Sequence, residues 1–199
     1  MTERNEGQIM STNEFVLGLV GVVIGLGLAD LLTSFHKLLR AGSRVQWDWL
    51  TIAYAVMMLY SLIVFWWWQF GFPGDGVALT IAGFLPNFIF LALTFLMVAS
   101  ALPDEVPAEG LSLRVFYLES LRHRWGLLTV SLIYAMTMNI FGIIDRKLWQ
   151  LLWWEIPTVA SVVLAALAIR IRATWFQALA ITWIIAVTSY FNLFKAVGP

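Results

Sequence analysis

Three features of the chain predict an all-α, polytopic integral membrane protein with six transmembrane helices. These are a composition too apolar for a water-exposed fold, six apolar runs of about membrane length, and tryptophans and basic residues gathered at the ends of those runs. Of 199 residues, 61% are hydrophobic and only 12% charged, with mean hydropathy +0.83. Soluble domains are about 45–50% apolar and about 25% charged, so lipid must be the solvent for much of this surface. The apolar runs are roughly 14–38, 47–70, 78–102, 125–144, 149–170 and 175–195. A helix rising about 1.5 Å per residue needs about 20 apolar residues to cross about 30 Å of hydrocarbon. No run alternates in the manner of a membrane barrel strand, so each is read as a helix. Together they form one transmembrane domain over residues 1–199.

The first run holds a single ionisable residue, Asp30, between Phe15 and Phe35. Ser11 with Glu14 three residues on predicts a capping box at its start. Helical spacing puts Gly18, Gly21, Gly25 and Ala29 on one face, where the lack of side chains lets another backbone approach. That face predicts helix packing, within the chain or between subunits, and makes this the helix the others are expected to pack around. Asp30 falls on a second face with Gly27, Ser34 and Lys37. An acid below the membrane surface is costly and marks a functional candidate; pairing with Lys37 at the headgroups is the alternative.

The second run ends in Trp66, Trp67 and Trp68, and the fifth opens with Trp149, Trp153 and Trp154. Trp47, Trp49, Trp125 and Trp175 mark the opposite ends, which together read as two interfacial belts. In the third run Thr80, Gly83, Asn87 and Thr94 share a face, and Pro86 removes a backbone donor beside Asn87. The fourth run offers Ser131, Ala135, Asn139 and Gly142, and the sixth Thr174, Ala178, Thr182, Ser189 and Asn192. Such stripes serve hydrogen bonding between helices, at about 0.6 kcal/mol each, or line a hydrated seam. Glu155, in WWEIP, is a second acid near the Trp-rich end of the fifth run. Between the third and fourth runs, PDEVPAEG predicts an acidic turn. The segment LSLRVFYLESLRHRW then predicts a short interfacial helix with Leu111, Val115 and Leu118 on one face.

Charge bias sets the expected orientation. Eight of the twelve Lys and Arg residues, including Lys37, Arg114, Arg124 and Arg172, lie on one side, which the positive-inside rule makes cytoplasmic. Both termini are then expected outside the cytoplasm, the interfacial helix on the cytoplasmic leaflet, and the protein in a plasma membrane. The layout resembles that of many small bacterial inner-membrane proteins. The N-terminus lacks the basic region and cleavage site of a signal peptide, so the first helix is read as retained.

Several functions are disfavoured. A formal net charge of zero argues against a nucleic-acid partner. The absence of cysteine removes disulfides, thiolate metal sites and a Cys nucleophile. There is no HExxH, GxSxG or phosphate-binding glycine loop, so no enzyme is expected. The two histidines, His36 and His123, sit near one membrane boundary, and neither a metal nor any other cofactor is expected. The leading expectation is a homo-oligomeric permeation unit for a cation or proton, with Asp30, Ser34, Asn87, Asn139 and Glu155 as ion-binding candidates. The alternative is a non-catalytic accessory or assembly subunit of a larger membrane complex. Membrane lipid and either further copies or partner membrane subunits are the expected partners.

Overall fold

A computed structural model describes residues 12–70 and 81–192. The fold is almost wholly helical: α1 (Thr12–Ala41), α2 (Trp49–Phe70), α3 (Ile81–Ala99), α4 (Leu113–Glu119), α5 (Leu121–Asp145), α6 (Ile156–Ala168) and α7 (Thr174–Asn192). Among the described residues, five helical stretches are long and apolar enough to cross a membrane: Leu17–Arg44, Trp49–Gln69, Leu121–Asp145, Leu151–Ala168 and Thr174–Asn192. The described apolar part of α3, Phe84–Ala99, is shorter. The proposed capping residue Ser11 and the stripe residue Thr80 lie outside the described residues.

Local chemistry explains several helix ends. Gly42, at φ +57°, stops α1 in the left-handed conformation common after a helix. Asp48 caps α2: its Oδ2 accepts from the Thr51 backbone N–H at 3.2 Å. The fifth apolar run is not one α-helix. Pro157 occupies the first turn of α6, and its ring cannot continue an α-helix backwards. Residues Trp149–Glu155 therefore wind as a 3-10 helix instead.

α2, α3, α5, α6 and α7 pack in that order into a ring, with α7 closing back on α2. α1 lies outside this ring, making its main contacts with α2 and α3. The expectation that the other helices pack around it is thus corrected. The reason is visible in burial: only one stripe of α1 is covered, formed by Val20, Ile24, Gly27, Leu31, Ser34 and Leu38. At Gly27 an added Cβ would meet Phe95 at 3.6 Å and Leu62 at 3.8 Å. At Gly18, Gly21 and Gly25 it would meet nothing within 4 Å among the described residues. Packing within the chain therefore uses Gly27, and the face of Gly18, Gly21 and Gly25 stands open.

Polar side chains tie the seams of the ring. Tyr60 and Ser189 share a hydrogen bond of 3.0 Å between α2 and α7, and Trp68 donates to Asn192 further along that seam. Asn87 donates to Gln69 at 3.3 Å between α3 and α2. The Tyr134 hydroxyl donates to the Pro86 carbonyl at 2.9 Å, joining α5 to α3, and Trp183 donates to Ser161 at 3.1 Å between α7 and α6. Phe65, Phe90 and Tyr134 form an aromatic ladder across α2, α3 and α5, with centroids 5.1 and 6.1 Å apart.

The connections following α1, α3 and α6 meet at one end. Val45–Gln46 (β1) pairs in parallel with Leu111–Ser112 (β2), and Lys37 donates to the Asp104 carbonyl at 2.8 Å. Gly110 makes the β pairing possible: its φ is +101°, and a Cβ there would lie 3.0 Å from the Arg44 carbonyl. The short helix expected at the interface is α4, and the residues it buries are Leu113 and Tyr117 rather than a Leu111, Val115 and Leu118 face. Val115 stays exposed, because the i, i+4 pair that carries an aromatic ring is the one drawn into the core.

Gly27→Ile is expected to cost about 1–3 kcal/mol by overpacking the α1–α2–α3 contact, read as a lower melting temperature in detergent. Gly25→Ile should leave the fold of a single chain unchanged. Equal losses from both would mean that α1 packs by another face.

Candidate functional site

The most unusual chemistry lies at the end where those connections meet. α5 buries Leu121, Arg124, Trp125, Leu128 and Ser131 along one face, and this helical spacing carries a cation inward with the apolar residues. Arg124 is 0% exposed. Its guanidinium carbon sits 4.3 Å from the centroid of Phe116, 5.2 Å from that of Tyr117 and 5.5 Å from that of Tyr54. Cation–π attraction of a desolvated guanidinium is worth about 2 kcal/mol. Its Nε donates to the Ser100 carbonyl at 3.0 Å, just past the last residue of α3. The negative end of that helix dipole therefore faces the cation. Nη1 and Nη2 are buried with no hydrogen-bond partner among the described residues.

Neighbouring side chains extend the cluster across α2, α4, α5 and α7. The Tyr117 hydroxyl donates to Gln177 Oε1 at 2.8 Å and accepts from Trp125 Nε1 at 3.2 Å. Gln177 Nε2 then donates to the carbonyls of Ala168 and Ile171 at 2.9 and 2.6 Å, closing the turn between α6 and α7. The Tyr54 hydroxyl donates to the Arg124 carbonyl at 3.3 Å. Burial pushes the Tyr117 hydroxyl up to about 12, against the pull of the Trp125 donor and the Arg124 charge. It therefore stays a neutral phenol able to donate to Gln177. At the rim, Thr51 donates to the Leu113 carbonyl at 2.9 Å, and Arg114 reaches Asp48 at 3.6 Å while donating to Thr174.

The side chains predicted to form a permeation path are dispersed. Asp30 is half-buried on α1, at the border between its covered stripe and its open face, and Ser34 is buried within the stripe. Asn87 is bonded to Gln69 between α2 and α3, and Asn139 is exposed on α5. Glu155 occupies the N-cap position of α6 without a side-chain capping bond, and one of its carboxylate oxygens is buried and unpartnered among the described residues. No hydrogen bond or ion pair among the described residues joins any two of these five. His36 and His123 are both exposed. Among the described residues, no group of three His, Asp or Glu side chains is placed to hold a metal ion.

The Arg124 cluster was read from the sequence only as loop charge and a belt tryptophan. The signal that finds it is the spacing of Leu121, Arg124, Leu128 and Ser131 on one helical face, preceded by the aromatic pair Phe116 and Tyr117. Chemically the cluster is a clamp that joins α2, α4, α5 and the turn between α6 and α7.

Arg124→Lys should destabilise the fold by about 2 kcal/mol, since an ammonium is still a buried cation but is more strongly hydrated and lacks the planar group that sits among the three rings. Arg124→Met keeps the length and removes the charge, and should cost less. Thermal unfolding in detergent measures both. A lysine variant as stable as wild type would show that guanidinium geometry is not what holds the cluster.

No protein-family model, curated protein or solved structure matches this chain.

Proposed function

We propose that the protein is a non-catalytic membrane subunit that works by assembly, with α1 as its docking helix. The observation that carries this reading is the open face of α1. Gly18, Gly21 and Gly25 meet no described neighbour, on a helix that sits outside the ring. Small residues facing lipid make poor contact with acyl chains, whereas against another helix they allow close backbone approach and good packing. The polar stripes elsewhere lend this reading some support, because Asn87, Ser189 and Asn192 are already used in bonds between helices. In this reading α3 completes a six-span topology, and the bias of eight basic residues puts the Arg124 end in the cytoplasm of a bacterial cell, with both termini outside.

Purified protein in a mild detergent and in nanodiscs should be an oligomer, or should travel with a partner subunit, by light scattering. Gly21→Ile and Gly25→Ile should release monomers that melt at the wild-type temperature. A wild-type protein monomeric in both environments, and pure of other chains, would overturn the assembly reading.

A second reading, permeation of a cation or proton, is favoured by Glu155. One of its carboxylate oxygens is buried with no partner among the described residues, an acceptor that a proton or cation could use. Asp30, at the edge of the open α1 face, would then lie beside the interface between copies. In liposomes, Asp30→Asn and Glu155→Gln should each fold, assemble and reduce flux of protons or potassium severalfold. Wild-type vesicles as tight as empty ones would remove this reading and leave assembly standing.

A further inference from the structure

α4, the start of α5 and the turn between α6 and α7 enclose an open cleft of about 400 Å³. Its charged walls are Arg122, Arg172 and Glu119, and its apolar walls include Val115, Leu118 and Ile169. The cleft sits at the level where helices long enough to span begin and end, since those spans run from Leu121, to Ala168 and from Thr174. Exposed Trp175, Trp47 and Trp49 occupy the same end, at the level where aromatic side chains meet headgroups. Neither arginine has an ion-pair partner within 4 Å among the described residues, although Glu119 lines the same cleft. Two unpaired guanidiniums share a concave site with an apolar flank, and its volume is within the range of small-ligand pockets.

We propose that this cleft is a binding site for an anionic phospholipid headgroup. The phosphodiester lies between Arg122 and Arg172, and the upper acyl chain runs along Val115 and Ile169. The charge of the two arginines complements the phosphate, and guanidiniums suit its planar, bidentate recognition. The apolar flank accounts for a lipid rather than a free anion, because phosphate alone would leave Val115 and Ile169 unused. Glu119 stands at the rim, where it repels lipids with more negative charge than one phosphodiester. The site also gives α4 a function beyond packing: it is the wall that carries both Val115 and Glu119.

The test is native mass spectrometry of the full chain, released from detergent after incubation with dioleoyl phosphatidylglycerol, with dioleoyl phosphatidylcholine or with inorganic phosphate. Wild type should retain phosphatidylglycerol at least about tenfold better than phosphatidylcholine, and inorganic phosphate should leave no adduct. One basic residue near an anionic surface is worth about fivefold in binding, so Arg122→Gln with Arg172→Gln should lower phosphatidylglycerol retention by about 30-fold. Val115→Trp, which fills the apolar flank and keeps both charges, should also lower it severalfold, while Glu119→Gln should raise it. Melting curves of each variant identify the folded ones, and the single arginine variants serve if the double variant unfolds. Equal retention by wild type and folded arginine variants would overturn the site. Phosphate binding as tight as that of phosphatidylglycerol, or an unaffected Val115→Trp, would overturn its assignment to a lipid.

Discussion

The base of the structure is arranged around one buried guanidinium. Arg124 draws Tyr54 from α2, Phe116 and Tyr117 from α4, and the carbonyl end of α3 to one point at the base of α5. A bare guanidinium in a low-dielectric interior would be costly. Here three ring faces and a helix C-terminus offset that cost, and the price is a narrow geometry. The rings must stay in place, so α4 must stay docked. A seven-residue helix has too few turns to persist alone, and it is the cluster, with the Thr51 bond to Leu113, that holds it. Gln177 carries the constraint onward, because its amide joins Tyr117 to the turn that begins α7.

Burial follows from this arrangement. In α7 the buried residues, Phe176, Gln177, Ala180, Ile181 and Ile184, belong to the half nearer Arg124, and in α6 Ser161, Ala165 and Ala168 also run towards that end. The described buried residues of α3, Leu91, Thr94, Met97 and Val98, do the same. Towards the Trp-rich end, single hydrogen bonds such as Asn87 to Gln69 and Tyr134 to Pro86 take over the joining of helices. α1 follows neither pattern. It rests on α2 and α3 by one stripe and, among the described residues, leaves its glycine face uncovered.

Much of the helical layout was legible because long apolar runs and tryptophan belts report the solvent rather than the partner. Helix ends were legible where the chemistry is local, as at Gly42. The break at Pro157 was visible in principle, but hydrophobicity continued through Trp149–Glu155 and outweighed it. The glycine face of α1 was legible as a packing face, yet residue spacing cannot say which helix meets it. Gly27, counted with Asp30 on another face, proved to be the glycine covered by Leu62 and Phe95. Arg124 was hidden for a different reason. Basic residues beside a membrane span are first read as orientation signals, and whether one of them turns inward depends on aromatic rings supplied by other helices. Asp30, Asn139 and Glu155 were singled out by depth and residue type, but their mutual placement is set by helix order, which a single sequence does not encode locally.

The central claim is that the Arg124 cluster makes α4 and the base of the ring one cooperative unit. Hydrogen–deuterium exchange of the protein in nanodiscs, resolved to peptides covering residues 111–120, tests it most directly. The account predicts that the amides of Leu113–Glu119 exchange slowly, and that under mild denaturant they open together with the first turns of α5. Fast exchange of α4 while α5 remains protected would contradict it, since the helix would then be a surface attachment and not part of the clamp.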